Sequence, residues 1–497
     1  MTPGLFFYFS FNSTPVSTTK RIGFFLGPLL FVVLYFFFPE NLISPQAPEV
    51  LALASLMLTW WITEAVPLPV TAFLPLIGFP LLNVMKIDQS ALPYAHPVIF
   101  LFMGGFMIAL ALEKHKLHER IALKLIRFTG TSGNGIILGF MLAAALLSMW
   151  ISNTATAMMM LPIAVSVVHL LLNDVKTFED ISNKGERNFA TGLLLSIGYA
   201  SSLGGMATIV GTPPNVVFKG LLEDFFDLKI SFAEWMVIGV PVAAILIAAN
   251  YLLVTKIIFP NNLKKVEGSE TLIANRLAKL GPVKKSEKLV LVIFSITAFF
   301  WMFQQPINEW LNIKLLNDTT IGMCGGLLMF MVPVNFSQGK FILTWSDTEK
   351  LAWGILFLFG GGLCLAEGLD EAGIINAVGQ WIAGQNEFTI WFSLILIVIA
   401  VLLSELMSNV ALVNVFVPVV FGIAAVMDVN PILMGLPVTL GASIALMFPI
   451  ATPPNAIVFS SGYIRIQDMV KAGALLNIIS IIIIWLFSIT LVQWMFG

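Results

Sequence analysis

Two short polar stretches, at residues 148–154 and 404–410, interrupt long apolar runs of this chain. The first reads Ser-x-x-x-Ser-Asn-Thr and the second reads Ser-x-x-x-Ser-Asn-Val. The two serines of each stretch are four residues apart, so on a helix they lie on one face, one turn apart. Side-chain oxygens grouped in this way can coordinate a small hard cation. The structural alternative is that they form hydrogen bonds between packed membrane helices.

A second polar motif follows each of these stretches: GTPPN ends at residue 215 and ATPPN ends at residue 455. Consecutive prolines lack two backbone N–H donors, and they disfavour a helical conformation in the residue before them. We therefore expect helices that break at 211–215 and at 451–455. The backbone groups freed by each break need other partners.

The composition defines the class of protein. Hydrophobic residues make up 58% of the 497 residues, charged residues 11%, and the mean hydropathy is +0.93, whereas soluble proteins carry about 25% charged residues. Apolar stretches near the ~20 residues of a membrane-spanning helix recur along the chain, without the alternation of a β-barrel. We predict an all-α polytopic membrane protein. The net charge of −2 and the two cysteines predict no nucleic-acid partner and no disulfide framework.

The polar motifs belong to two homologous halves. FLFMGGFMIALALE, starting at residue 100, matches FLFGGGLCLAEGLD, starting at residue 357, and both motifs follow in the same order. The next stretch is rich in Lys and Arg in the first half, but it has neither in the second. Because positive charge marks cytoplasmic segments, equivalent segments face opposite sides, and the repeat is inverted. With the N-terminus inside, 22 of the 26 Lys and Arg residues are cytoplasmic, and the other four are Lys86, Lys219, Lys229 and Lys314.

Inverted repeats with interrupted helices are typical of secondary transporters, whose substrate site lies near the membrane midplane. The sequence leaves the depth of the first polar stretch open. Either two full spans place it in an external loop, or a re-entrant hairpin places it at mid-depth, where a helix N-terminus favours an anion. The four motifs contain no Arg, Lys or His, so a bound dianion would need co-bound cations or helix N-termini as counter-charge. Glu405 could carry a proton or lie in a solvated crevice.

The paired SNT/SNV and TPPN motifs, preceded by GGF-x-x-A-x-A-L-E and a basic segment, resemble the divalent anion:sodium symporter family of INDY-type carboxylate transporters. The resemblance extends from about residue 20 to 497. It implies about 11 transmembrane helices, two re-entrant hairpins, a homodimer and an elevator movement. It also implies import of C4 dicarboxylates such as succinate, malate or fumarate across a bacterial inner membrane. Since both Ser-x-x-x-Ser-Asn patterns are present, we expect at least two Na+ per substrate and no organic cofactor.

The resemblance also assigns roles to residues of both motifs. One Na+ site would consist of Ser148, Ser152, Asn153 and Gly211, and the other of Ser404, Ser408, Asn409 and Ala451. The substrate would be bound by Asn153, Thr154, Thr212, Asn409, Val410, Thr452 and Pro453. Some relatives have threonine in place of Val410, so this chain lacks one hydroxyl there.

The same resemblance divides the chain into six segments. These are a disordered cytoplasmic N-terminus (1–21), scaffold helices (22–96), a first repeat core (97–220, with a hairpin at about 133–172), further scaffold helices (221–350, with a Lys-rich cytoplasmic linker at about 260–288), a second repeat core (351–463, with a hairpin at about 390–427) and a C-terminal helix (464–497) that ends outside. The first apolar run could instead be a signal peptide, but no small-residue cleavage site follows it.

Several other functions remain open at this stage. A cation-independent dicarboxylate exchanger should place a basic side chain where Na+ would bind, and a related transporter could carry sulfate or citrate. An intramembrane protease requires paired aspartates, a Ser/His pair or a zinc motif, and none is found in the sequence. A channel is not excluded by the sequence, and single-channel currents would reveal one.

Overall fold

The computed structural model describes residues 18–39, 42–172, 181, 183–313, 315–383 and 390–497. Most of the predicted disordered segment 1–21 therefore lies outside the described residues. The first half of the described chain is helical, with α1 Thr18–Phe37, α2 Ala47–Thr63, α3 Leu68–Thr71, α4 Leu74–Leu81, α5 Ile87–Ala91, α6 Pro97–Lys114, α7 Leu117–Phe128, α8 Gly133–Ser148, α9 Asn153–Leu172, α10 Lys184–Gly205 and α11 Pro213–Phe226.

The second half contains α12 Phe232–Leu252, α13 Ser269–Lys279, α14 Lys285–Leu311, α15 Asp318–Met331, α16 Trp353–Glu371, α17 Ile374–Ala383, α18 Ile390–Ser404, α19 Asn409–Val426, α20 Pro431–Ala442, α21 Pro453–Phe459, α22 Ile466–Phe487 and α23 Gln493–Phe496. Two short antiparallel strands, β1 Pro333–Asn335 and β2 Lys340–Phe341, lie between α15 and α16.

The helices fit the predicted class. Within the described residues, eight helices are long and apolar enough to cross a membrane, and shorter apolar helices accompany them. Several helices follow one another after a short break, as α3 and α4, α10 and α11, and α20 and α21 do. The all-α polytopic architecture predicted from composition is confirmed.

Two of the spans are broken near their middle. Helix α10 ends at Gly205 and α11 begins at Pro213, while α20 ends at Ala442 and α21 begins at Pro453. The sequence predicts the breaks at 211–215 and 451–455, but the structure places them at 206–212 and 443–452. The prolines occupy the first turn of the following helix, because the N–H groups of that turn have no partner within the helix and can be missing without loss.

Each half of the chain packs its hairpin on its own broken helix. Arms α8 and α9 contact α10, and arms α18 and α19 contact α20. The second arms cross to the other half, since α9 contacts α21 and α19 contacts α11. The two halves therefore repeat one arrangement. Each hairpin tip lies beside the break of its broken helix.

The ends of the helices define two faces of the molecule. At one face, Gly133 N donates to Leu263 O over 2.9 Å, and the side chain of Asn188 donates to Pro260 O over 2.8 Å. This face, which we call the basic face, joins the starts of α8 and α10 to the end of α12. The opposite face joins α11 to α15, where Lys219 Nζ lies 2.7 Å from Asp318 Oδ2 and both side chains are buried.

The segments before the first hairpin and before α14 are also helical. Helix α7 forms in the Lys- and Arg-rich stretch that follows the first block, and its buried Arg120 forms two hydrogen bonds with Glu287, of 2.6 and 3.2 Å. The predicted Lys-rich linker at 260–288 is only partly a linker, because α13 forms within it and packs on α7. Glu270 in its first turn and Arg276 and Lys279 in its last turn complement the helix dipole, a signal that the sequence prediction did not use.

Candidate functional site

The tip of the first hairpin brings four oxygen-bearing groups together. Ser148, fully buried at the end of α8, donates to Ser201 O over 2.6 Å, and its Oγ lies 2.5 Å from Asn153 Oδ1. With the Asn153 amide in the opposite orientation, its nitrogen lies 3.1 Å from Ser201 O and 3.3 Å from Gly211 O. The amide of Asn153 is therefore surrounded by oxygens of the hairpin, of α10 and of the break.

A glycine allows this close approach. A side chain at Gly205 would meet Asn153 Oδ1 at 2.5 Å and Gly211 O at 3.0 Å. Gly205 is the last residue of α10, so the hairpin tip and the break meet at the point where the helix stops. The sequence prediction includes Ser148, Asn153 and Gly211, but it omits Ser201, because a backbone carbonyl has no signature in sequence.

The tip of the second hairpin has a related arrangement. Ser404, fully buried at the end of α18, donates to Val401 O and to Ile444 O, both over 2.8 Å. Asn409 starts α19, and its Oδ1 is buried without a hydrogen-bond partner among the described residues. Ala451 lies in the break, where its N donates to Phe448 O over 3.2 Å. As in the first half, a serine connects the hairpin to a backbone carbonyl of the broken helix, from Ser201 near the end of α10 in the first half and from Ile444 in the break in the second.

The remaining predicted residues lie at the same two junctions, with different roles in the local structure. Ser152 Oγ accepts a hydrogen bond from Ala155 N over 3.2 Å, so its hydroxyl caps α9. Ser408 is the residue before α19, and its carbonyl accepts from Leu412 N over 2.9 Å. Ser152 and Ser408 thus lie at the two junctions between hairpin and broken helix, and the Ser152 hydroxyl binds the backbone of its own helix.

The residues expected to bind substrate surround the two tips. Thr212 and Thr452 are buried residues that precede α11 and α21. Val410, in the first turn of α19, is 9% exposed. Thr154 is half-buried in the first turn of α9, whereas Pro453 is exposed.

Three long helices begin at this level of the molecule. They are α9, α11 and α19, with 20, 14 and 18 residues. Phe421 of α19 packs on Phe218 and Phe226 of α11, and His169, near the end of α9, contacts Tyr463. The N-terminal ends of α9 and α19 lie at the hairpin tips and that of α11 at the first break. Such helix ends carry partial positive charge and favour an anion.

Glu405 has a different environment from either of those considered from the sequence. Its carboxylate is buried and accepts hydrogen bonds from the backbone N–H groups of Leu446, Met447 and Phe448, at 2.7, 2.9 and 3.3 Å. The side chain of Asn477 donates to it over 2.8 Å. Glu405 therefore holds the unwound segment of the second break. The sequence shows an acidic residue beside the motif, but not the segment that it binds.

An all-helical membrane chain with two inverted halves, each placing a hairpin tip against a broken helix, has the architecture of a secondary transporter. The chain belongs to the family described as sodium:sulfate symporter transmembrane region, whose model matches residues 19–497. This confirms the resemblance noted from the motifs. Members of this family are transporters, and the chain is a multi-pass membrane transporter and not an enzyme.

Curated relatives match nearly the whole chain. The chain is 38% identical over 471 residues to a sodium-dependent dicarboxylate transporter, SdcS, of Staphylococcus saprophyticus, covering 94% of this chain and 90% of the relative. It is 38% identical over 489 residues to SdcS of Staphylococcus aureus strain MRSA252, covering 96% of this chain and 92% of the relative.

Solved structures share the fold at much lower identity. The YdaH transporter of Alcanivorax borkumensis matches with a TM-score of 0.57 and 11% identity, over 80% of this chain and 86% of that chain. MtrF of Neisseria gonorrhoeae matches with a TM-score of 0.56 and 10% identity, over 96% of both chains. These similarities concern the fold alone.

Proposed function

We propose that this chain couples the entry of Na+ to the import of C4 dicarboxylates such as succinate, malate and fumarate. The observation that carries the proposal is the oxygen cluster at the first hairpin tip, where Ser148 Oγ, Ser201 O and Gly211 O surround the Asn153 amide. With Asn153 Oδ1 turned towards them, four neutral oxygens face one another, and such oxygens are the ligand type that a small hard cation prefers. Relatives named as sodium-dependent dicarboxylate transporters support the same ion and substrate class.

The second hairpin supplies a second Na+ site in this proposal. Ser404, Ser408, Asn409 and Ala451 belong to it, and Asn409 Oδ1 is the buried acceptor that the ion would satisfy. The Ser152 hydroxyl caps α9, so Ser152 contributes to the first site by fixing the backbone conformation of the hairpin tip. We expect at least two Na+ for each substrate, which balances the charge of one dicarboxylate.

The substrate lies between the two tips. Its carboxylates contact the side chains of Asn153, Thr154 and Asn409 and the N-terminal ends of the helices that start there. Thr212, Thr452 and Pro453 border the same space, and Val410 presents a methyl surface where a threonine would offer a hydroxyl. Because these groups are neutral, the bound Na+ ions and the helix ends supply the positive charge that a dianion needs away from water.

Transport requires that the tips become accessible from each side in turn. We propose that the repeat cores 97–220 and 351–463 move as one body against the scaffold segments 22–96 and 221–350, in an elevator movement within a homodimer. The buried Lys219–Asp318 pair would then connect the moving α11 to the scaffold helix α15.

We place the basic face on the cytoplasmic side of a bacterial inner membrane. Positive charge gathers at cytoplasmic ends of membrane helices, and Lys20, at the start of α1, pairs with Glu64 at the end of α2. This orientation leaves the N-terminus inside and the C-terminus outside.

Labelled succinate uptake into proteoliposomes tests the proposal. An inward Na+ gradient should drive uptake that K+ or choline does not, and Asn153→Ala and Asn409→Ala should each abolish it. Uptake that occurs only into vesicles preloaded with dicarboxylate and is indifferent to Na+ would identify an exchanger. If succinate is not taken up, the same assay with sulfate and citrate identifies another divalent anion as the substrate.

A further inference from the structure

The asparagine that ends each TPPN motif is buried and bonded in the same way in both halves. Asn215 and Asn455 are both fully buried. The Nδ2 group of Asn215 donates to Thr208 O over 2.8 Å and to Gly205 O over 3.4 Å. The Nδ2 group of Asn455 donates to Phe448 O and to Ala445 O, over 3.1 and 2.9 Å. In each half the two acceptors lie 7 and 10 residues before the asparagine.

Two of these acceptors, Gly205 O at the end of α10 and Ala445 O in the second break, receive the asparagine amide, while Thr208 O and Phe448 O also accept from Gly211 N and Ala451 N. Carbonyls at the end of a helix have no N–H group four residues later within the helix, and the two prolines of each motif contribute no N–H at all. A buried carbonyl without a donor is destabilising. One asparagine amide supplies both donors across each break, so it fixes the path of the unwound segment.

The fixed segments carry the oxygens assigned to Na+. Gly205, whose carbonyl Asn215 binds, packs directly against Asn153 and Gly211. In the second half, Asn455 holds the carbonyl of Ala445, next to Ile444, whose carbonyl accepts from Ser404. A shift of either segment therefore displaces the oxygen ligands of one site without touching the substrate contacts on the hairpins.

We propose that Asn215 and Asn455 are positioning residues that set the Na+ affinity of the first and second sites, respectively. This inference rests on the proposed function. Each asparagine acts through its Nδ2 group, which donates to the carbonyls of its own break.

The two halves hold the segment by different contacts, which in the first half are neutral: Thr208 Oγ1 donates to Met149 O, and Trp235 Nε1 donates to Met206 O. In the second half, Glu405 binds the N–H groups of residues 446–448 while Asn455 binds the carbonyls on either side. Met149, four residues before Asn153, occupies the position that Glu405 has before Asn409, and a thioether does not accept such a set of hydrogen bonds. Loss of Asn215 should therefore weaken Na+ binding more than loss of Asn455.

Na+ titrations of succinate uptake at saturating succinate test the proposal in Asn215→Ala and Asn455→Ala. The half-saturating Na+ concentration should rise about tenfold or more in Asn215→Ala, because one buried hydrogen bond has about the free energy of a tenfold change in binding constant. In Asn455→Ala it should rise about threefold, and adding Glu405→Gln should raise it further, to about tenfold. The succinate KM at saturating Na+ should stay within about twofold of wild type.

Asn250→Ala is the matched control. Asn250 is a fully buried asparagine of α12, and its amide contacts Met141 Sδ at 3.8 Å, away from both breaks. Its half-saturating Na+ concentration should equal that of wild type. A second readout is the rise in melting temperature that Na+ causes in purified protein without substrate: it should shrink in the Asn215 variant and persist in Asn250→Ala, although both lose a buried amide.

The outcomes separate this inference from the proposed function. If wild-type uptake and melting temperature do not respond to Na+, the proposed function is wrong. If wild type responds and the Asn215 and Asn455 variants titrate like Asn250→Ala, the positioning role is wrong. If Asn215→Ala does not fold, the same comparison uses the isosteric Asn215→Asp, together with Asn455→Ala alone and combined with Glu405→Gln. Unchanged Na+ titrations in these variants refute the positioning role.

Discussion

The hydroxyl of Ser148 offers a sharp test of the first Na+ site. It is buried, it donates to Ser201 O over 2.6 Å, and it lies 2.5 Å from Asn153 Oδ1. Ser148→Ala removes one ligand of the proposed ion and leaves Ser201 O without its donor. We expect the half-saturating Na+ concentration for uptake to rise.

The magnitude follows from the contacts. A buried group that loses its partner costs about 1–3 kcal/mol, and each 1.4 kcal/mol corresponds to about tenfold in a binding constant. A loss of about 2 kcal/mol therefore predicts a rise of about 30-fold in the half-saturating Na+ concentration. The succinate KM at saturating Na+ should change much less, because Ser148 does not lie among the substrate contacts.

Ser201→Ala is the matched control for this experiment. The Ser201 hydroxyl is equally buried, but it bonds back to Ile197 O of its own helix over 2.8 Å, and the variant keeps the Ser201 carbonyl that the site uses. Its Na+ titration should stay within about twofold of wild type, since such a back-bonded hydroxyl contributes little. Equal titrations for Ser148→Ala and wild type, or equal losses in both variants, would refute the assignment.

Three further predictions concern other parts of the molecule. Val410→Thr adds a hydroxyl beside the substrate, so the succinate KM in uptake assays should fall about threefold to tenfold with Na+ affinity unchanged. Lys219→Met leaves Asp318 buried without its cation and should destabilise the protein by about 3–5 kcal/mol, with Asp318→Asn in addition restoring part of the melting temperature. Burial raises the pKa of Asp347, but hydrogen bonds from Lys114 and Thr344 lower it further, to below its ordinary value. Asp347→Asn should therefore lower the melting temperature at pH 7. The difference should shrink as the pH falls below about 4, the ordinary pKa of a carboxyl group, and vanish once the pH is below the lowered pKa of Asp347.

Each of these has a result that contradicts it. An unchanged succinate KM in Val410→Thr would remove residue 410 from the substrate contacts. A melting temperature of Lys219→Met equal to that of wild type would mean that the buried pair contributes nothing to stability. A destabilisation by Asp347→Asn that is constant from pH 7 to pH 3 would show that the carboxylate charge is not involved.

Much of the fold could be predicted because the signals were repeated. Apolar length predicts the spans, and the order of three matching blocks predicts the two halves, while the orientation inferred from charge asymmetry stays a prediction. The breaks were predicted close to their positions but several residues late. The prolines mark the start of the next helix, whereas the end of the preceding helix depends on tertiary contacts. Gly205 packs on the hairpin tip, and the Glu405 carboxylate binds the backbone N–H groups of residues 446–448.

The parts of the site that could not be predicted are carried by the backbone or depend on distant packing. The carbonyl of Ser201 joins the first cluster because α10 packs on the hairpin, and its own side chain gives no sign of this. The roles of Asn215 and Asn455 depend on bonds to residues 7 and 10 positions earlier, which require the break to exist first. Ser148 and Ser152 are both serines of one motif. Only packing decides that Ser152 caps α9, while Ser148 donates a hydrogen bond to a carbonyl of α10.

The most direct test of the coupling is the reciprocal flux: uptake of radiolabelled Na+ into proteoliposomes, driven by an inward succinate gradient with equal Na+ on both sides. Coupled transport predicts that Na+ accumulates inside although no Na+ gradient drives it, with at least two Na+ entering for each succinate and no accumulation in Asn153→Ala or Asn409→Ala. Succinate entry without any accompanying Na+ would contradict the coupling.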